Sequence, residues 1–354
     1  MRWICFHAMF LLTGFLWGQI PMQARLDLDI LKEANGELPP ALTSSRTMVV
    51  FASSSENKEW QSSTNPYHAS LIRMGIDPVL YVNIADFYAN EHIRNKFLQL
   101  IAKRRIRNTI FIIADGEQTL LVAENLPNGR IDLNGDRLKI TGSLFSEMAY
   151  QLGLKLKSAD LPSTNFLTLS KPEFVTDVDL FSGRSYANYP GIIQRQKIGY
   201  ATFQEKKIPT NASNSIKEQI EAFNLEVQEN NKILAGIIEQ SGFEAIPLAY
   251  RTNEEVRKEG VLYILMIAGT HGTTLRSLFN YQTDKRETRY ISVTPGPIEG
   301  AVTLKHLESH RLMYKVYLLQ VNGDDVFIGK EWDADENWES AVRNFLFTYY
   351  RQFE

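Results

Sequence analysis

Cysteine is almost absent: Cys5 is the only one in a chain of 354 residues. One thiol cannot make an intramolecular disulfide, and a thiolate zinc site needs several. A chain this long can support its core without disulfides. Charge of one sign is also scarce. Lys and Arg number 38 against 41 Asp and Glu, a formal net charge of −3. So weak a field favours neither nucleic acid nor an anionic membrane as partner. Past the N-terminus the most apolar run is Val261–Ala268. It is strand-length, far below the roughly 20 residues that cross a bilayer. Catalytic signatures are missing too. No serine stands in G-x-S-x-G, and no glycine loop carries the lysine of a P-loop. At 44% hydrophobic and 22% charged residues, the chain is neither disordered nor collagen-like.

The N-terminus carries the clearest signal. Arg2 precedes a nearly unbroken apolar run from Phe6 to Trp17, and the small residue Gly18 follows. Positive start, short apolar centre and small cleavage residue are the plan of a secretory signal peptide. Residues 1–18 are read as that signal. Cys5 leaves with it, so the mature chain lacks thiols altogether. An exported protein of this size without disulfides suits a bacterial envelope, and the expected location is periplasmic or secreted.

Residues 19–46 read as an N-terminal tether, with an amphipathic turn at Leu26, Leu28, Ile30 and Leu31 before Gly36, Pro39 and Pro40. Residues 47–154 read as a first α/β module. Thr47–Ala52, Pro78–Asn83 and Thr109–Ala114 are apolar, β-branched runs that predict strands. Helices are predicted over Pro66–Gly75, Asn90–Arg105 and Ser143–Leu152. Asp115-Gly116 signals a turn into a strand over Thr119–Ala123. Residues 155–196, broken by Pro162, Pro172, Gly183 and Pro190, read as an irregular connector.

Residues 197–354 read as a second α/β module. Strands are predicted over Lys197–Phe203, Ala245–Tyr250 and Val261–Ala268, the last apolar throughout as a central strand is. Ile216, Ile220, Phe223, Val227, Leu234 and Ile238 draw the stripe of a long helix over Ser213–Ser241. A short helix is predicted over Asn253–Lys258, a hairpin turns at Asn322-Gly323-Asp324, and a last helix spans Asp335–Tyr350. Each module starts with a strand and follows with helix, glycine and strand. Near its end each pairs a hairpin with an amphipathic helix, and 110–125 aligns with 317–332. The expected fold is α/β: two tandem, duplicated modules, each a small mixed β-sheet flanked by helices. Extra material in the second lies around Thr274–Lys305.

Six residues form the candidate ligand-binding segment: Gly269, Thr270, His271, Gly272, Thr273 and Thr274. They follow the most apolar strand, where α/β sheets place ligands. Glycines there admit an anion to backbone N–H groups, and threonines add donors. The plainer reading is a strand-end turn. His306 and His310, four apart, are weak metal candidates that a helix would align on one face. Asp333-x-Asp335-x-Asn337 and Asp132-x-Asn134-x-Asp136 echo calcium loops but are incomplete. Helix capping explains the first and a turn the second. Lys103–Arg107 reads as a solvated helix end, and His68 and His92 as core or surface histidines. No catalytic constellation emerges, and neither a cofactor nor a metal is implied.

Export, duplication and poverty of motifs point to a non-enzymatic binding or protein-interaction protein of the cell envelope. Its expected partner is another envelope protein, or a small ligand in a cleft between the modules. Nucleic acid is not expected, nor a membrane span once the signal is removed. The alternative is a carboxylate-dependent hydrolase of an envelope polymer, since glycosidases need no linear motif. Mass spectrometry of the exported protein tests the signal: the expected chain starts after Gly18 and has no titratable thiol. A chain that keeps Met1 and one thiol contradicts cleavage.

Overall fold

The computed structural model describes residues 21–52, 60–114, 118–164, 166, 168–175, 183–209, 212–282, 286–298 and 300–354. The signal segment 1–18 with Cys5, and the Asp115-Gly116 turn, lie outside the described residues. Among those described, no helix is long and apolar enough to cross a membrane. The chain divides into two compact units. One takes the described residues of Met1–Phe87 and Phe97–Val178, the other those of Tyr88–Lys96 and Asp179–Glu354. The fold is mixed α/β, with one main mixed sheet in each.

The first unit contains, in order, α1 (Met22–Lys32), β1 (Arg46–Ala52), α2 (Trp60–Ser63), α3 (Asn65–Arg73), β2 (Asp77–Asn83) and α4 (Ile84–Phe87). Then come α5 (Glu91–Lys103), whose first residues belong to the second unit, β3 (Ile106–Ile113), β4 (Gln118–Glu124), β5 (Arg137–Gly142) and α6 (Phe145–Ser158). The sheet order is β2-β1-β3-β4-β5. β1 is parallel to β2 and β3, and β4 and β5 run antiparallel. β1 is buried from Thr47 to Ala52 on both faces. That is why it reads as a continuous apolar run rather than an alternating one. Its core gathers Val49, Phe51, Ile110, Leu120, Ile140 and Met148.

Two stretches are more ordered than their composition suggested. The expected tether forms α1, whose Leu26, Leu28, Ile30 and Leu31 are buried. It packs on β4, and the Arg137 guanidinium donates to the carbonyls of Ile30 and Glu33, both at 3.3 Å. The helix ends at Lys32, ahead of Gly36 and the prolines, so these breakers leave its apolar face intact. The connector is also anchored in part. Its first residues extend α6, and Glu173 O accepts from Tyr81 N at 2.8 Å beside β2.

The second unit contains β6 (Ser185–Tyr186), a 3-10 turn (Gly191–Arg195), β7 (Ile198–Ala201), α7 (Asn214–Gln240), β8 (Ala245–Leu248), α8 (Asn253–Lys258) and β9 (Tyr263–His271). There follow α9 (Gly272–Leu278), β10 (Arg289–Pro295), β11 (Val302–Glu308), β12 (Leu312–Gln320), β13 (Val326–Phe327) and α10 (Trp338–Arg351). The six-stranded order is β6-β13-β12-β9-β7-β8, and β10 and β11 form a separate two-stranded sheet. β7 is parallel to β8 and β9, and β12 is antiparallel to β9 and β13. Helix starts follow local chemistry. Ser213 Oγ accepts from Ile216 N, Thr252 Oγ1 from Glu255 N, and Asn337 Oδ1 from Ser340 N. The last helix therefore begins at Trp338, not at Asp335.

The least expected feature of this core is an ion pair. Lys315 on β12 and Asp333 before α10 are both fully buried, Nζ to Oδ1 2.6 Å. The lysine also donates to the carbonyls of Val316 at 3.0 Å and Ile328 at 2.8 Å. Asp333 Oδ2 accepts from Thr348 Oγ1 at 2.8 Å, and Asn344 Nδ2 donates to the Asp333 carbonyl at 3.2 Å. Burial pushes the lysine pKa down and the aspartate pKa up, and each partner's charge opposes that shift. Every ammonium hydrogen has an acceptor, which buried charges require. Breaking one side strands the other, so Lys315→Met is expected to cost about 3–5 kcal/mol. The double variant Lys315→Met/Asp333→Leu should cost much less. Chemical denaturation checks both; equal losses would show that charge stranding is not the cause.

Candidate functional site

The structure places the candidate segment Gly269–Thr274 across an element boundary rather than in a loop. Gly269, Thr270 and His271 end β9, and Gly272, Thr273 and Thr274 open α9. Three of their N–H groups are already used. Gly269 N donates to Ala89 O at 2.8 Å, Gly272 N to Arg311 O at 3.1 Å and Thr273 N to Ser309 O at 2.9 Å. The glycines answer to packing. A Cβ on Gly269 would stand 2.6 Å from the Tyr314 ring, and one on Gly272 2.8 Å from Met313 Sδ. The N–H groups of Gly269, Gly272 and Thr273 are thus taken by neighbouring backbone carbonyls.

These bonds bring the segment beside the second candidate pair. The sequence suggested a helix for His306 and His310. His306 instead lies on β11, and His310 lies in the turn between β11 and β12. His310 has left the strand for the turn, so the four-residue spacing does not set the two rings on one face as it would on a helix. His310 is buried, 3.4 Å from Glu308. His306 is exposed. Among the described residues no group of three or more His, Cys, Asp or Glu is placed to hold a metal ion.

The calcium-like runs are likewise occupied. Asp333 holds Lys315, Asp335 accepts from Lys305 at 2.9 Å, and Asn337 rather than either aspartate caps α10. Asp132 accepts from Asn134 N at 2.9 Å in a turn, and Asp136 from Asn35 at 3.2 Å. In the basic cluster, Arg104 pairs with Glu173 at 2.7 Å and Arg107 with Glu124 at 3.2 Å. His68 is buried, one ring nitrogen 2.9 Å from Tyr81 Oη and the other 2.8 Å from Leu169 O.

What stands out is the surface grown from the base of this region. β10 and β11 pair from Arg289↔Glu308 to Pro295↔Val302. One face is anchored. Tyr290, Ser292 and Leu307 are buried, Ser292 Oγ donates to Ala334 O, and Lys305 holds Asp335. Arg276 lies over the Tyr290 ring, 4.4 Å from its centroid, and pairs with Glu287 at 3.0 Å. The other face carries Ile291, Val293, Pro295, Val302, Leu304 and His306. Ile291 is 51%, Leu304 58% and Val302 41% exposed, and Ile298 at the tip 73%. Large apolar side chains concentrated on one open face are what mark a contact surface. The alternation Ile291, Val293, Pro295 and Val302, Leu304, His306 is present in the sequence. By composition alone Thr274–Lys305 reads as extra material in the second module.

The two edges of the hairpin differ. Hydrogen bonds Ser309 N to Thr288 O and Gly296 N to Ala301 O set the phase of the ladder. Antiparallel strands alternate bonded and outward residues. Positions 303, 305 and 307 therefore bond β10, and 302, 304 and 306 point their backbone outward. On β10 the outward Val293 N is taken by Trp332 O at 2.7 Å. Among the described residues nothing bonds the outward backbone of 302, 304 or 306.

No protein-family model, curated protein or solved structure matches this chain.

A second polar cluster in this unit centres on His92, which is buried. Its Nδ1 is 2.9 Å from Tyr250 Oη, and that hydroxyl donates to Asn253 Oδ1 at 2.6 Å. The hydroxyl hydrogen is spent, so His92 Nδ1 carries the ring hydrogen. Asn253 and Lys96 both donate to Asp324. Burial lowers the His92 pKa to about 4; Asp324 opposes the shift and Lys96 adds to it. An unfolded histidine, near pH 6.5, binds its proton earlier. Between those values the unfolded state holds more protons, so stability must fall as pH drops from 6.5 to 4. The expected loss from this group between pH 7 and pH 5 is about 2 kcal/mol. Denaturation midpoints at the two pH values measure it, and His92→Gln should flatten the difference; an unchanged slope would assign it elsewhere.

Proposed function

We propose that the chain is an exported, non-enzymatic protein-interaction protein of the bacterial cell envelope, and that it makes contact through the β10–β11 hairpin. The carrying observation is the open apolar face of Ile291, Val302, Leu304 and Ile298 beside an unbonded strand edge. An open edge recognises backbone, which favours a protein over a small solute. Natural sheets generally blunt such edges, so one that stays long and apolar calls for an occupant. The signal-like residues 1–18 support export.

The two units are read as related modules. Each is read as β-α-β-α-β-β-β-α when α1, β6, the 3-10 turn, α9, β10 and β11 are set aside and the adjoining helices α2–α3 and α4–α5 are each counted once, and each sheet places its second strand outside its first. In that alignment β9 answers to β3, and β12 to β4. The segments 110–125 and 317–332, matched by sequence pattern, are then one strand out of step. The hairpin is an insertion between equivalent strands, and an insertion exposed on a repeated scaffold is a natural place for function.

The test is in-cell crosslinking and recovery of the tagged protein from its native host. Ile291→Ser/Leu304→Ser should lose the crosslinked partner at least tenfold while melting at the same temperature as the parent. Undiminished capture by this variant sinks the assignment to the hairpin.

A further inference from the structure

We propose that Tyr88–Lys96 is an acid-released latch: it is docked on the rest of the second unit at neutral pH, and lets go ahead of global unfolding when His92 takes up a proton. The segment stands apart in sequence, since that unit otherwise takes its described residues from Asp179–Glu354. It is braced within itself. Asn90 Oδ1 accepts from Ile93 N at 2.8 Å and so starts α5, and the Arg94 guanidinium lies 4.6 Å from the centroid of the Tyr88 ring. Hydrogen bonds then tie it down. On the sheet, Gly269 N donates to Ala89 O at 2.8 Å, and Asn90 Nδ2 donates to Ile267 O at 3.1 Å and to Tyr317 Oη at 3.0 Å. Between β8 and α8, His92 meets the Tyr250 hydroxyl at 2.9 Å, and Asn95 donates to Arg251 O. In the turn between β12 and β13, Asp324 pairs with Lys96. None of these ties joins two strands, so releasing them leaves the six-stranded ladder whole. A piece held in this way can open by itself.

His92 couples the latch to protons because it is buried at the centre of these ties. The groups that face it are Tyr250, Asp324 and Lys96, with Tyr317 and Glu91 acting on the Tyr250 hydroxyl. Burial pushes the Tyr250 and Tyr317 hydroxyls up, so both stay neutral as the histidine titrates. Asp324 favours an imidazolium, but it is already engaged by Lys96 and Asn253. Lys96 opposes an imidazolium, and burial outweighs both, so the docked ring takes its proton only at about pH 4. Released into water, the ring takes it near pH 6.5. The open form therefore binds the proton more tightly. Opening becomes easier as pH falls below 6.5, and the gain levels off below 4. Between pH 7.5 and pH 5 those two values make opening about 30-fold more frequent.

Amide hydrogen exchange followed by NMR on the full-length protein reads the latch directly. The Gly269 N–H, whose acceptor is Ala89 O, should exchange about 30-fold faster at pH 5 than at pH 7.5 once intrinsic rates are divided out. The Gly272 and Val321 N–H groups bond Arg311 O and Leu262 O, outside the segment, and should keep their protection. His92→Gln should abolish the acceleration at Gly269. Two charge variants serve if that one fails to fold. Lys96→Gln removes the repelling cation, so the acceleration should shrink. Asp324→Asn removes the attracting anion, so it should grow, and asparagine tolerates the φ of +58° at that position. A merely structural role for these side chains would change protection by the same factor at both pH values. Equal acceleration at Gly269, Gly272 and Val321 would show global unfolding and overturn the latch. Unchanged exchange at Gly269 overturns it as well.

Discussion

The Lys315–Asp333 ion pair holds together the parts of the second unit that matter most for contact with anything else. Lys315 belongs to a central strand, Asp333 to a segment without regular structure, and Thr348 and Asn344 to the last helix. With both charges removed from water, the segment has one low-energy position, because any shift leaves a charge unpaired. That position decides where Trp332, Ala334 and Asp335 go. Trp332 O receives Val293 N, Ala334 O receives the Ser292 hydroxyl, and Asp335 receives Lys305. Asp335 also exchanges two backbone bonds with Tyr314, at 2.7 and 3.0 Å. The hairpin is thus tied through 332–335 to a buried charge pair in the core.

Such a hairpin does not fold for its own sake. A two-stranded sheet alone is marginal in water. β10–β11 gains from Tyr290 and Leu307 buried on one face and from Arg276 stacked over Tyr290. Its other face leaves Ile291, Val302 and Leu304 exposed. An anchored inner face with an idle apolar outer face is the arrangement of a surface awaiting a partner. The Gly269–Thr274 segment and the 309–311 turn are the hairpin's footing, and their backbone groups bond each other.

Much of the fold was legible because it is repetitive chemistry. The stripe of α7, with Ile216, Ile220, Phe223 and Val227, predicts a helix because the spacing leaves one face to bury. β1 and β9 are legible as central strands because both faces are apolar. Misreadings have physical causes. Residues 19–46 hold prolines and a glycine, which suggest slack, but α1 is short and its burial depends on β4. His306 and His310 have helical spacing, but strand neighbours override spacing over so short a run. β10–β11 was overlooked because prolines and glycines at its tip hide a clear alternation.

By itself the sequence determined the α/β class, the central strands β1 and β9, the stripe of α7, the paucity of thiols and the signal-like start, since each follows from local composition and periodicity. Tertiary structure alone decided that Lys315 meets Asp333, 18 residues away, that 332–335 brackets the hairpin, and that Leu304 stands on an open edge. Those facts depend on which strand lies beside which. A side chain's neighbours across a sheet are set by chain topology and burial, which no local pattern encodes.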